Sequence, residues 1–129
     1  MTTAKDIMHH DHLITASPND KIINVVKAMN DHKVGSVLIV ENGKLVGIFT
    51  ERDLVRIVAE GKSLDLPVRE VMSRNLIVAK PEDSIAIITS KMIEHWIRHI
   101  PVVDEEGKPI GIISIRDVLR HMVASSTFP

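Results

Sequence analysis

The sequence predicts a mixed α/β (α+β) fold of two tandem repeats, each running strand-helix-strand-strand-helix, packed together with pseudo-twofold symmetry. Three observations lead there. The chain matches itself when shifted by about 63–64 residues. Each half carries two apolar, β-branched runs around a glycine turn. Each half then repeats one junction, Gly47-Ile48-Phe49-Thr50-Glu51-Arg52-Asp53 and Gly111-Ile112-Ile113-Ser114-Ile115-Arg116-Asp117, in which an apolar run meets a hydroxyl and then an Asp.

The matched pairs stay in order along the whole chain. Asp6-Ile7-Met8 falls on Glu70-Val71-Met72, and Leu13 to Asp20 falls on Leu76 to Asp83. Met29 and His32 meet Met92 and His95. One extra residue among Asp104-Glu105-Glu106 moves the frame, after which Gly43-Lys44 meets Gly107-Lys108 and Arg56 meets Arg120. This is a duplication. It places repeat 1 over residues 1–62, a linker at 63–67, repeat 2 over 68–124 and a frayed tail at 125–129.

Within repeat 1, Leu13-Ile14-Thr15 reads as a short strand. Ser17, Pro18 and Asp20 read as a helix start, with a capping hydroxyl, a proline at the first helical position and an acid in the first turn. Ile22, Val26 and Met29 follow at helical spacing, widened by Ile23 and Val25. The second copy has Lys80 at the cap position, then Pro81, Ile85, Ile88 and Met92. Ser36–Val40 and Leu45–Phe49 flank Asn42-Gly43, the strongest short hairpin signal. Ile100–Val103 and Ile110–Ile113 flank Glu106-Gly107. Helices then open at the two junctions, Glu51 to about Glu60 and Ile115 to about Ala124.

Composition limits the functions. The chain has 129 residues, 44% hydrophobic and 26% charged, with a formal net charge of -1. That balance argues against broad electrostatic binding to nucleic acid or membrane. No apolar run is long enough to span a bilayer, no signal-peptide core is present, and cytoplasm is the default expectation. Without cysteine there is no disulfide, thiolate metal site or thiol nucleophile.

The duplication, the element order, the repeated Gly-x-x-Thr/Ser-x-x-Asp junction and the His99-Ile100-Pro101-Val102-Val103 segment resemble a tandem pair of CBS (cystathionine β-synthase-type) domains, a Bateman module. The resemblance covers about Asp6 to Met122. It implies a non-catalytic regulatory module that binds AMP, ADP, ATP or S-adenosylmethionine reversibly in clefts between the repeats, as in energy sensing, and signals by conformational change to a protein target. It also implies a homodimer. No tightly bound cofactor is expected.

The resemblance assigns ligand-binding roles to particular positions. Asp53 and Asp117 would accept ribose hydroxyls while Thr50 and Ser114 meet a phosphate at a helix N-terminus. By spacing alone, the same four residues form capping boxes, and a carboxylate turned back to its own backbone has fewer lone pairs for a diol. Arg98 and His99 would face a phosphate; as surface cations they would simply be solvated. Their counterparts, Gly35 and Ser36, carry no charge. The site reached by Arg98 and His99 is therefore expected to prefer a phosphorylated ligand, and its counterpart to be weaker or empty. Thr15-Ala16 and Val78-Ala79 would offer backbone groups to adenine, the small alanines letting the ring approach.

Aromatics make up 2% of the chain, so aliphatic side chains would grip the base. Trp96 is expected at an interface or a half-buried helix end. His9, His10 and His12 cluster, and His95 and His99 lie four apart, but no carboxylate or cysteine completes a metal set. No nucleophile elbow, phosphate loop or dinucleotide fingerprint appears, so catalysis is not expected. A ligand-free dimerisation or interaction scaffold is the alternative function. Nucleic-acid binding through local basic residues is a weaker third.

Overall fold

Asn42 and Gly43 adopt φ of 53° and 78°, which reverses the chain between β2 (Ser36–Glu41) and β3 (Lys44–Thr50). This hairpin is the centre of the first of two compact units in the computed structural model, which describes residues 1–125. The first unit runs Ile14–Leu76; the second joins Met1–Leu13 to the described residues from Ile77 onward. Of the tail expected at 125–129, all but Ser125 lies outside the described residues.

In the first unit, β1 (Thr15–Ala16) pairs in parallel with β2, which pairs antiparallel with β3. Helix α2 (Ile22–His32) buries Ile22, Val25 and Met29, and α3 (Glu51–Ala59) buries Ile57. These meet Val37, Ile39 and the fully buried Phe49 in one core. Truncating Phe49→Ala removes the largest buried side chain of that core and should cost about 3–5 kcal/mol in denaturant unfolding.

The second unit has the same build with one element reduced. Strands β4 (His99–Val103) and β5 (Pro109–Ser114) form a hairpin, flanked by α4 (Ile85–His95) and α5 (Ile115–Ala124). Its first strand shrinks to a single bridge, Ala79 to Val102. The cause is Pro101. In the first unit the Leu38 N–H donates to Ile14 C=O at 3.1 Å. Pro101 stands at the matching place and has no N–H to give.

The helix starts differ from expectation. Ser17 does not cap α2: its N–H donates to Asp20 Oδ2 at 2.9 Å in a separate turn, and the helix begins at Ile22 after Lys21. Lys80 and Asp83 form the same turn in the second repeat, and Ser84 caps α4 by accepting from the Ile87 N–H at 3.2 Å. The α2 amides need no side-chain cap, because the Ile22 and Ile23 N–H groups donate to Leu66 and Leu64 C=O at 2.9 Å each.

The linker thus belongs to the first unit, and the chain's first residues serve the second unit in the same way. Val68 and Arg69 N–H donate to Asp20 and Pro18 C=O at 2.8 and 3.0 Å; Ala4 and Lys5 N–H donate to Asp83 and Pro81 C=O at 2.8 and 2.9 Å. Ala4 opens a single turn of helix, α1 (Ala4–Ile7), and is fully buried in the second core with Ile88, Ile100 and Ile113. Asp6 accepts from the Thr3 N–H at 2.8 Å and the Thr3 hydroxyl at 3.1 Å, and these two bonds, the backbone one first, hold its carboxyl below the usual value. The stability this lends is present above the unfolded pKa and lost as pH falls through the lowered folded one. An NMR titration of Asp6 should show that lowered midpoint, and Thr3→Ala should raise it.

The glycine of each junction has a packing cause. A Cβ at Gly47 would fall 2.5 Å from Met72 Sδ, and one at Gly111 would overlap Met8 Sδ and lie 2.8 Å from its Cγ. Gly47→Ala should therefore lower stability by about 1–3 kcal/mol, the usual cost of overpacking. An unchanged melting temperature would mean that Met72 turns aside.

Candidate functional site

Both junctions fold into capping boxes at helix N-termini, as their spacing allows. Asp53 Oδ2 accepts from the Thr50 N–H at 3.0 Å and the Thr50 hydroxyl at 3.2 Å, while the Asp53 N–H donates back to Thr50 Oγ1 at 3.3 Å. Asp117 Oδ2 accepts from the Ser114 N–H at 2.7 Å and hydroxyl at 3.0 Å, and its N–H returns to Ser114 Oγ at 3.3 Å. The carboxylates are 7% and 5% exposed, so each sits as a buried negative charge where a helix dipole favours one.

One oxygen of each carboxylate is thus tied to its own backbone, and the other bonds side chains from the same unit. Asp53 Oδ1 accepts from the Ser73 hydroxyl at 3.2 Å and lies 3.5 Å from Arg56. Asp117 Oδ1 lies 2.7 Å from His9 Nε2 and accepts from Arg120 at 3.2 Å. Ser73 and His9 come from equivalent segments. Each exchanges two backbone bonds with the second hairpin strand of its unit, Ser73 with Ile48 and His9 with Ile112.

The ten positions singled out from the sequence divide between the units. Thr15, Ala16, Thr50 and Asp53 lie in the first; Val78, Ala79, Arg98, His99, Ser114 and Asp117 lie in the second. In the first, Ser36 pairs with Thr50, and the Glu51 N–H donates to Gly35 C=O at 3.0 Å. In the second, His99 pairs with Ser114, and the Ile115 N–H donates to Arg98 C=O at 2.8 Å. Arg98 and His99 therefore stand beside the Asp117 corner, where the Asp53 corner has Gly35 and Ser36. Arg98 is exposed and His99 half-buried.

The backbone assigned to the base from the sequence is partly occupied by bonds within the fold. Ala79 donates to Pro101 C=O at 2.9 Å and accepts from the Val103 N–H at 3.0 Å, and Val78 C=O accepts from Lys91 Nζ at 2.8 Å. Thr15 and Ala16 sit in register with Leu38 and Ile39, Thr15 exposed.

Of the other residues, Trp96 does end a helix, but it is 82% exposed rather than half-buried, in a left-handed C-cap with φ of 55°. His99 begins β4 beyond the end of α4. His10 pairs with Asp11 at 3.2 Å. Among the described residues, no group of three or more His, Asp or Glu could hold a metal ion, and no helix is long and apolar enough to cross a membrane.

Ser73, Arg56 and Arg120 were not singled out, and His9 was noted only as part of a cluster. The signal for Ser73 and His9 was available: each follows the methionine that aligns Met8 with Met72.

Two copies of an α/β unit, each with a hairpin feeding a helix whose N3 carboxylate is buried, define a duplicated module. The CBS domain model matches residues 4–60 and again 68–124, and the chain belongs to that family. It is similar to the CBS domain-containing protein YhcV of Bacillus subtilis, 34% identical over 98% of this chain and 90% of that protein. It is 37% identical to an uncharacterized protein of Methanopyrus kandleri over 84% of this chain, which spans only 57% of that relative. The CBS domain pair of protein MJ0100, solved in complex with 5′-methylthioadenosine and S-adenosyl-L-methionine, superposes with a TM-score of 0.87. That pair is 32% identical, over 95% of this chain and 96% of the other.

Proposed function

We propose that this chain is a non-catalytic regulatory module that binds an adenosine-containing ligand reversibly and signals by conformational change to a protein target. The observation that carries this is the duplicated corner: a buried carboxylate at a helix N-terminus whose second oxygen is held by side chains, Ser73 in one unit and His9 with Arg120 in the other, which a ribose hydroxyl could replace. The adenosyl ligands of the MJ0100 pair support the same chemistry. Thr50 and Ser114 would meet phosphate or ribose, and Thr15, Ala16, Val78 and Ala79 the base. With Arg98 and His99 beside it, the Asp117 corner takes the phosphorylated ligand, and the Asp53 corner binds more weakly or stays empty.

Calorimetric titration with AMP, ADP, ATP and S-adenosylmethionine tests this. Binding tighter than about millimolar, roughly 4 kcal/mol, is expected for at least one. None at that level ends the proposal for these ligands.

One observation favours a second function, a homodimeric scaffold that needs no ligand. Helix α3 exposes Val55 and Val58, and α5 exposes Leu119, Met122 and Val123, so both units present apolar helix faces suited to a second copy. The scaffold predicts a dimer whose melting temperature ignores every nucleotide, whereas a ligand that binds only the folded state must raise it.

A further inference from the structure

We propose that His9 and Ser73 set the charge preference of the two corners: His9 makes the Asp117 corner selective for an anionic nucleotide, and Ser73 leaves the Asp53 corner without that selectivity. This rests on the reading of Asp117 and Asp53 as ribose acceptors, and it assigns a determinant that the Gly-x-x-Thr/Ser-x-x-Asp motif does not contain.

The geometry is matched and the chemistry is not. In both units Oδ2 is held by the capping box, so an arriving hydroxyl must share or take Oδ1. At Asp53 the present holder is Ser73, whose hydroxyl can rotate and either donate to or accept from a sugar. At Asp117 the holder is His9, at 2.7 Å, and a carboxylate acceptor requires the proton on Nε2. The ring cannot accept at that nitrogen while it donates. A diol that takes Oδ1 frees the Nε2–H of His9, whose side chain is 62% exposed, to bond water or an acceptor on the ligand.

The surroundings compound the difference. The displaced ring joins Arg120, Arg98 and His99, where the Asp53 corner has Arg56, Gly35 and Ser36. Two other groups of the N-terminal segment have partners of their own: Asp6 is bonded to Thr3, and His10 pairs with Asp11. A ligand that brings a phosphate offers that N–H a charged acceptor in place of water. A neutral 5′-thioether brings none.

AMP and 5′-methylthioadenosine, which share the nucleoside and differ at the 5′ substituent, make the test on the full chain. Calorimetry should show AMP favoured over methylthioadenosine in the wild type. His9→Ser, which copies the other repeat, should cut that ratio by about tenfold, the worth of one charge-assisted hydrogen bond. His9→Gln, a neutral donor of similar reach, should keep more of the ratio than His9→Ser, and Ser73→His should raise the ratio. A merely structural role would weaken both ligands alike and leave the ratio fixed. Unchanged ratios in His9→Ser and Ser73→His, with binding intact, overturn this assignment and spare the adenosyl-ligand function. Failure of both ligands to bind the wild type overturns both.

Discussion

Removing residues 1–13 is expected to unfold the second unit before the first. Those residues supply the buried Ala4, the Met8 side chain against Gly111, and the backbone bonds of Ala4, Lys5 and His9 to Asp83, Pro81 and Ile112. At about 1 kcal/mol for each backbone bond, with the burial added, the loss is on the order of 5 kcal/mol. That matches the lower end of what a small domain has in total. Hydrogen exchange is the measurement. Amides of β4 and β5 should lose protection while those of β2 and β3 keep more of theirs. Equal loss in both hairpins would show that the N-terminal segment is not specific to the second unit.

Asp117→Ala is expected to weaken binding of a phosphorylated adenosyl ligand by about 1.5–3 kcal/mol, as a charge-assisted hydrogen bond to ribose is lost. The same change removes the acceptor of the Ser114 N–H and should cost about 1 kcal/mol of fold stability through the cap. The two effects separate when titration and thermal unfolding are run on one sample. Asp53→Ala provides the contrast, with a similar cap cost and a smaller effect on AMP. Unchanged affinity in a folded Asp117→Ala protein would leave Asp117 a helix cap and nothing more.

Much of this was readable from residues because the repeats check each other. Asn42-Gly43 and the β-branched runs beside it specify a hairpin from local chemistry alone, and the Thr50/Asp53 and Ser114/Asp117 spacing specifies a capping box. The Ser17–Asp20 turn misled because the same side-chain bonds that open a helix can also close a separate turn. What frees α2 from needing a cap is the C=O groups of Leu64 and Leu66, more than forty positions away, and no local pattern carries that. The reduced first strand of the second unit was legible in principle, since Pro101 cannot donate. The contact of His9 with Asp117 spans 108 positions and emerges only when the shift that pairs Met8 with Met72 is carried one residue further.

The way residues 1–13 complete the second unit also orders events during synthesis. The first unit is one uninterrupted stretch and can close once Leu76 has left the ribosome. Residues 1–13 have to wait for β5, their partner, to be made roughly a hundred residues later. At about 5–20 residues per second, that leaves them unpaired for about 5–20 seconds. The unit that closes first shortens the wait in another sense, since a folded Ile14–Leu76 replaces a long floppy tether by a compact one. A ligand held at Asp117 would then have to await α5 and its pairing with residues 1–13, while Asp53 is ready earlier.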